Sequence, residues 1–383
     1  MTTVLHAAKL YPPAGGGMET VLRDLCDGTA GVWNVQVVAA HTKAETVRER
    51  CGRVDVTRVA AYGQAASVPL CPSLPMEIWR HPADCVVLHE PNPIACTALL
   101  TKTPAPRLVV WHHSDLLRPW WAPLTYGHVQ RALYQRADCV IVSSPALAER
   151  SSLVQQARRV VVIPFGIELA RYQQVDPASR ARAARMLDVV PGPRMLFVGR
   201  LVYYKGLSVL IEAMEGCGGS LVIVGEGPLE GELRSLVDRK GLGGRVLFTG
   251  RVDDADLPAV YQACDLFVLP SIAKTEAFGV VQIEAMAAGK PVVSTNLPTG
   301  VPWVNKDGES GLIVEPGDSV SLGQALRRLV EDEALRQRLG AGAQRRAELM
   351  FSRERMVAAF ERLIDSIVQS TSEVDEFERG EVA

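Results

Sequence analysis

Short apolar, β-branched runs alternate with helix-patterned stretches along this chain, and the alternation is played through twice. In the first half, strands are predicted over 3–7, 34–40, 84–89, 107–112, 138–142 and 159–163, and helices over 17–29, 44–51, 92–101, 124–136 and 145–152. Strands this short and apolar, separated by helices, form a parallel sheet covered on both faces. After Pro164-Phe165-Gly166-Ile167 comes a polar, arginine-rich stretch around 170–188, then the punctuation Pro191-Gly192-Pro193. The pattern then restarts, with strands near 194–199, 220–224, 245–248, 266–269, 291–294 and 312–314. Helices fall between them, near 206–215, 228–240, 255–263, 279–288 and 319–329. The expectation is an α/β chain of two doubly wound, Rossmann-like domains, 1–165 and 166–352. Ligands of such sheets bind beyond the carboxyl ends of the strands, so two facing domains would put a site in the cleft. From Arg353 an amphipathic helix follows, with Met356, Phe360, Leu363, Ile364 and Ile367 on one face, and then an acidic tail.

Composition narrows the class. A chain of 383 residues is too long for one ordinary core, and 48% hydrophobic with 22% charged residues suits a soluble globular protein. A formal net charge of −2 carries no nucleic-acid footprint. The eight cysteines are scattered, without a C-x-x-C pair or zinc spacing, which points to a reduced, cytoplasmic protein. The N-terminus reads as a first strand, not a signal peptide. No run of about 18 uncharged apolar residues suggests a membrane span. Peripheral contact with a membrane surface stays open.

The chemistry sits at strand ends. Ser271-Ile272-Ala273-Lys274-Thr275-Glu276-Ala277-Phe278-Gly279-Val280 leads from a strand into a helix that carries Glu284. Two carboxylates so placed can grip two hydroxyl-bearing parts of one ligand. The amides of Phe278, Gly279 and Val280 open the helix, and a helix N-terminus favours an anion. Phe197-Val198-Gly199-Arg200-Leu201-Val202-Tyr203-Tyr204-Lys205-Gly206 puts Arg200 and Lys205 after another strand, where two cations suit a diphosphate. The bland alternative is a pair of surface charges. Gly15-Gly16-Gly17 follows the first strand and lets backbone approach a ligand closely. Gly225 and Val252 belong to two further strand-end turns whose backbone can meet a base edge. Trp111-His112-His113-Ser114-Asp115 ends a strand; His113 is favoured over His112 as the imidazole facing the site, with Asp115 orienting it or contacting an acceptor. His89 and Glu90 end another strand, as acceptor-side candidates or structural groups. Trp120 and Trp121, followed by Arg131 and Arg136, suit a membrane interface or lipid-linked acceptor, or core packing. Asp254-Ala255-Asp256 has a metal-binding look but precedes a helix, where Asp is a favoured N-cap, so no metal is expected there.

Together these motifs resemble the GT-B-fold, retaining nucleotide-sugar glycosyltransferases with a Glu-x7-Glu signature, glycosyltransferase family 4. The resemblance runs from the Gly15-Gly16-Gly17 turn to the C-terminal helix, 353–383 with its tail, which it implies packs back on the first domain. It implies an N-terminal acceptor domain and a C-terminal donor domain. Arg200 and Lys205 would hold the diphosphate, and Glu276 with the Phe278-Gly279-Val280 backbone would hold the transferred sugar and phosphate. Glu284 would take the ribose hydroxyls, His113 would contact the sugar near its reacting carbon, and Gly16 and Gly17 would approach the diphosphate. Three stretches, His113-Ser114-Asp115, Leu201-Val202-Tyr203-Tyr204-Lys205-Gly206 and Gly300-Val301-Pro302-Trp303-Val304-Asn305, resemble bacterial enzymes building polysaccharide on lipid carriers. A GDP-sugar donor such as GDP-mannose is then implied, with a UDP-sugar as the alternative, and a glycan or lipid-linked acceptor. The approach Ile272-Ala273-Lys274-Thr275 departs from the arginine-bearing or shorter form common in the family.

The expected reaction is a retaining transfer without an enzymic nucleophile, driven by positioning and by charge stabilisation of the leaving phosphate. With Arg200, Lys205 and a helix N-terminus available for that, no cofactor and no obligatory metal are expected. Two other readings compete: an epimerase or hydrolase on the same scaffold, and a non-catalytic nucleotide-sugar-binding partner.

Overall fold

A computed structural model of the chain describes residues 1–14, 16–65, 68–115 and 122–369. Two compact units emerge: Met1–Gly166 with the C-terminal helix Arg353–Gln369, and Ile167–Ser352.

The first unit is built on eight strands: β1 (Thr3–Ala8), β2 (Asn34–Ala40), β3 (Val47–Cys51), β4 (Val54–Val59), β7 (Cys85–Glu90), β8 (Arg107–His112), β9 (Cys139–Val142) and β10 (Val160–Val162). A separate short hairpin supplies β5 (Gln64–Ala65) and β6 (Val68–Pro69). The sheet order is β10-β9-β8-β7-β1-β2-β4-β3, parallel except for β3 against β4. The direction of winding reverses between β1 and β7, which makes their carboxyl ends the switch point of this sheet. The inner strands β1, β7, β8 and β9 are almost wholly buried, as a sheet with helices on both faces requires. The C-terminal helix buries Met356, Phe360, Leu363, Ile364 and Ile367 within this unit. Phe360 lies over Trp111 (5.6 Å), His6 (5.8 Å) and Trp33 (5.9 Å), and Val357 meets the backbone of Gly28 in the helix Gly17–Thr29.

One expected helix is a strand. Residues 44–51 carry good helix formers, yet Val47–Cys51 pairs antiparallel with Val54–Val59. Gly52, at φ 61°, opens the two-residue turn between them, a turn chemistry that selects a hairpin. Arg58 seals the pair by bonding Glu49 at 2.6 Å and the backbone oxygens of Tyr11 (2.7 Å) and Pro12 (2.5 Å).

The second unit has six parallel strands: β11 (Arg194–Val198), β12 (Ser220–Val224), β13 (Val246–Gly250), β14 (Leu266–Leu269), β15 (Val292–Thr295) and β16 (Gly311–Val314). Their order, β13-β12-β11-β14-β15-β16, is the dinucleotide-fold order, with the switch point between β11 and β14. Its core joins Met195, Phe197, Ile223 and Val268 of the strands to Leu210, Leu326 and Leu329 of the covering helices. Two long helices are additional to those expected, Pro177–Leu187, capped by Asp176, and Glu333–Met350, capped by Asp332, as are the single turns Ala170–Gln173 and Val301–Val304.

Candidate functional site

In the second unit, the loops leaving β11 and β14 carry the charged groups, and the sheet order makes those loops neighbours. Their backbones interlock: the Ile272 amide donates to the Tyr204 carbonyl at 2.8 Å. Gly206, at φ 69°, faces the Pro270 carbonyl so closely that any Cβ would collide with it. A glycine is therefore required there on two counts, conformation and space. On the other side, the Gly225 amide donates to the Gly250 carbonyl at 2.8 Å, and its own Cα packs on the Gly199 backbone. Val252 lies half-buried in the loop after β13.

The interlocked loops bring Lys205 against Glu276. Lys205 Nζ donates to Glu276 Oε2 at 2.5 Å, with each side chain only 11% exposed. Ser271 Oγ donates to the same oxygen at 3.1 Å. Arg200 is exposed, and its guanidinium makes no ion pair or hydrogen bond among the described residues. One cation is thus pre-engaged with the carboxylate while the other is open to solvent.

Two residues beyond Glu276, Phe278 is buried against Trp303 (6.3 Å) and Phe351 (6.1 Å). Gly279 caps the helix Val280–Ala287 in a left-handed conformation. The Gln282 side-chain amide donates to the Phe278 carbonyl at 3.1 Å and pins this turn. The amides of Gly279, Val280 and Val281 have no acceptor among the described residues, so the helix presents three N–H groups and the positive end of its dipole to an anion. One turn on, Glu284 accepts from the Tyr261 hydroxyl at 2.7 Å, and Tyr261 stacks edge-on with Tyr172 at 5.6 Å. Burial pushes the Glu284 carboxyl above its usual range, opposed by the phenols of Tyr261 and Tyr172. Tyr261, Tyr172, Ser271 and Gln282 were not foreseen: the two tyrosines reach Glu284 from other elements, while Ser271 and Gln282 act within their own loop and helix turn, where only the folded geometry turns them onto Glu276 and Phe278.

In the first unit, the Gly16 amide donates to Glu19 Oε2 at 2.7 Å, and Gly17 begins the helix Gly17–Thr29. A carboxylate of the chain itself therefore occupies this helix start. Strand phase separates the two adjacent histidines. His113 lies on the sheet face of His89 and Trp111, and His89 Nδ1 is 3.0 Å from His113 Nε2. His112 turns to the other face, 2.7 Å from the Tyr134 hydroxyl. Asp115 sits beside His112 (3.3 Å), not His113, and accepts from Ser151 at 2.7 Å.

Two acceptor-side candidates have structural work instead. Both ring nitrogens of His89 are taken, by His6 and by His113, each at 3.0 Å, which leaves none for a sugar. Glu90 is fully buried and accepts from Tyr126 (2.7 Å), Gln130 (3.1 Å) and the Asn92 amide (3.1 Å). It braces β7 against the helix Ala122–Arg136. Burial raises its carboxyl above the ordinary range despite these donors. Trp120 and Trp121 lie outside the described residues.

Asp256 forms a fork with Arg182 (2.5 and 2.8 Å) and accepts from Ser179 (2.8 Å), which holds its carboxyl at about 2. It braces the helix Pro177–Leu187 and makes no side-chain cap, the role expected from sequence. Among the described residues, no group of three His, Cys, Asp or Glu side chains could hold a metal ion.

Comparison with known proteins matches both halves of the chain. Residues 189–346 fit the model for glycosyl transferases group 1, and residues 15–171 fit that for glycosyltransferase family 4. O-antigen chain mannosyltransferase C of Escherichia coli is 32% identical over 96% of this chain and 100% of its own length. D-rhamnosyltransferase WbpZ of Pseudomonas aeruginosa is 33% identical, covering 91% of this chain and 92% of its own. A GDP-mannose-dependent α-(1-6)-phosphatidylinositol monomannoside mannosyltransferase of Mycobacterium tuberculosis is 27% identical, at 89% and 92% coverage. Among solved structures, sucrose-phosphate synthase of Thermosynechococcus elongatus superposes with a TM-score of 0.80 at 24% identity, covering 97% of this chain and 100% of that one. Anabaena HepE in complex with UDP-glucose gives 0.77 at 23% identity, with 96% and 100% coverage.

Proposed function

The chain belongs to the family 4, group 1 glycosyltransferases of GT-B fold, and from that premise we propose that it transfers a mannose-type hexose from a GDP-sugar, with retention, to a glycan or lipid-linked acceptor. The observation that carries the reading is the Lys205–Glu276 pair at the switch point, beside three open amides. The three relatives described above are named for mannose or for D-rhamnose, its 6-deoxy form, which supports a manno-configured sugar. The GDP base rests on a relative named for GDP-mannose.

In this reading the acceptor hydroxyl attacks the anomeric carbon from the face that the diphosphate leaves. The bond from that carbon to the phosphate oxygen breaks as the new C–O bond forms, and the acceptor proton passes to the departing phosphate. Arg200 and Lys205 offset the charge that develops on the leaving group, together with the amides of Gly279, Val280 and Val281. Glu276, released from Lys205, takes hydroxyls of the transferred sugar, and Glu284 takes the ribose. Gly16, Gly17 and His113 keep the roles that family resemblance assigns them. Because two cations and a helix dipole supply the electrostatics, transfer should persist in chelator. Among the described residues no helix is long and apolar enough to cross a membrane. A lipid-linked acceptor would then be met by peripheral contact from the cytoplasmic side, with product entering cell-surface polysaccharide.

Thermal stabilisation by GDP, UDP, ADP and their sugar conjugates, in chelator, tests the donor. A selective shift with GDP and GDP-mannose is expected. A selective UDP shift would move the donor, and no shift with any nucleotide in a folded sample would sink the transferase mechanism. The anomeric configuration of the product, read by NMR, tests retention.

A further inference from the structure

His6 in β1, His89 in β7 and His113 after β8 share one face of the first sheet. Register sets this: His6 lies opposite Val87 and His89 opposite Trp111, and residues two apart on a strand face the same way. His6 Nδ1 is 3.0 Å from His89 Nε2, and His89 Nδ1 is 3.0 Å from His113 Nε2. All three rings are buried, among Trp111, Phe165 and Phe360. The two end nitrogens, His6 Nε2 and His113 Nδ1, are buried without a hydrogen-bond partner among the described residues. Burial draws His6 and His113 down to about 3 and His89 well below its usual value, so each ring is neutral and carries one N–H.

One proton per ring and two nitrogen-to-nitrogen contacts leave only two arrangements. Either every ring is protonated on Nδ1 and His6 donates to His89, which donates to His113. Or every ring is protonated on Nε2 and the direction reverses. Any mixture sets two N–H groups or two lone pairs against each other. The first arrangement presents an N–H at His113 Nδ1; the second presents a lone pair.

We propose that His6 and His89 are positioning residues, whose hydrogen-bonded chain decides whether His113 Nδ1 donates to or accepts from a hydroxyl of the transferred sugar. This rests on the reading of His113 as a sugar contact. His6 and His89 touch no substrate; they act only through His113. All three rings share one direction, and a hydroxyl at His113 Nδ1 accepts from it or donates to it to match.

The test is ¹⁵N NMR of histidine-labelled full-length protein, with and without GDP-mannose, alongside kinetics. One common tautomer is expected for all three rings, and His89→Phe should release His6 from the state of His113. His6→Leu should lower kcat on the order of tenfold, the worth of one mis-set hydrogen bond, with the donor KM within about twofold. His6→Asn should restore kcat, because its amide can donate or accept where Nδ1 stood. Opposite tautomers at His6 and His113 in the unsubstituted protein would overturn the coupling whether or not any variant folds. An unchanged kcat in folded His6→Leu would overturn the positioning role. Coupled rings in a protein whose His113→Ala variant keeps its normal kcat would instead overturn the sugar contact beneath it.

Discussion

Removing the ammonium of Lys205 separates its structural part from its chemical one. In Lys205→Met, Glu276 loses its ion-pair partner inside an enclosure where its side chain is 11% exposed, with the Ser271 hydroxyl at 3.1 Å as a remaining donor. Breaking a buried pair from one side costs roughly 3–5 kcal/mol. The residual exposure and the Ser271 bond put this case at the lower end, about 3 kcal/mol. Each kcal/mol moves Tm by roughly 2–4 °C in a domain of this size, so a fall of about 6–12 °C is expected. Lys205→Met with Glu276→Gln should regain most of it, because replacing both charges is close to neutral where removing one is not. Transfer should not return: both variants should stay at least about a hundredfold slow, the worth of one stabiliser of transition-state charge. Calorimetry gives the first result, and donor turnover well below the lowered Tm gives the second. A single-variant Tm within about 2 °C of the parent, or a double variant no more stable than the single, would refute the enclosed pair. Near-normal turnover in Lys205→Met would refute its action on the leaving phosphate.

Three further outcomes follow from local geometry. Gly206→Ala places a Cβ against the Pro270 carbonyl at φ 69°, and neither backbone can yield cheaply. It should lose about 2 kcal/mol or more, seen as a lower urea midpoint with unchanged slope, and an unchanged midpoint contradicts the close approach. Tyr261→Phe removes a 2.7 Å donor from Glu284, so nucleotide affinity should weaken about tenfold by calorimetric titration; an unaltered Kd removes Glu284 from the ribose role. Glu90→Gln can keep its oxygen toward Asn92 and Gln130 while the Tyr126 hydroxyl turns to accept from the new NH₂. The folded Glu90 carboxyl is raised above 4.5, so its favourable contribution exists below that pH and is lost as pH rises through the folded value. The stability of Glu90→Gln relative to the parent should therefore grow as pH rises from the acid side, and a pH-independent difference in chemical denaturation would contradict the buried carboxylate.

Most strands could be read from composition because buried parallel strands are continuous apolar runs, such as Ser220–Val224 and Leu266–Leu269. The failures have specific causes. Residues 44–51 look helical because Glu and Arg dominate, but the partner strand Val54–Val59 and the Gly52 turn outweigh propensity. The helix Glu333–Met350 was hidden by Gly340 and Gly342, which resemble breakers. Each sits where helix backbone packs against another backbone, Gly340 on the Gly289 carbonyl and Gly342 on that of Glu309. A side chain would prevent that packing, so these glycines permit the helix to dock at their cost in propensity. The polar helix Pro177–Leu187 has little apolar pattern and is fastened by the Arg182–Asp256 fork.

The candidate site was legible as a set of strand ends and not as an arrangement. Arg200, Lys205 and Glu276 were each marked by position after an apolar run, but they lie on loops 71 residues apart at the paired atoms. Only the order β13-β12-β11-β14-β15-β16 makes the first and fourth strands neighbours and closes that distance. The histidines show the same limit from the other side. His6 in an otherwise apolar strand was a usable signal, since a polar group buried on a central strand must find a partner. Its partner could not be named until register put His6 and His89 on one face and His112 on the other. Residue type thus announced where polar chemistry had to be satisfied. Sheet order and strand phase decided which groups satisfy each other, and so which nitrogen or oxygen is left for a ligand.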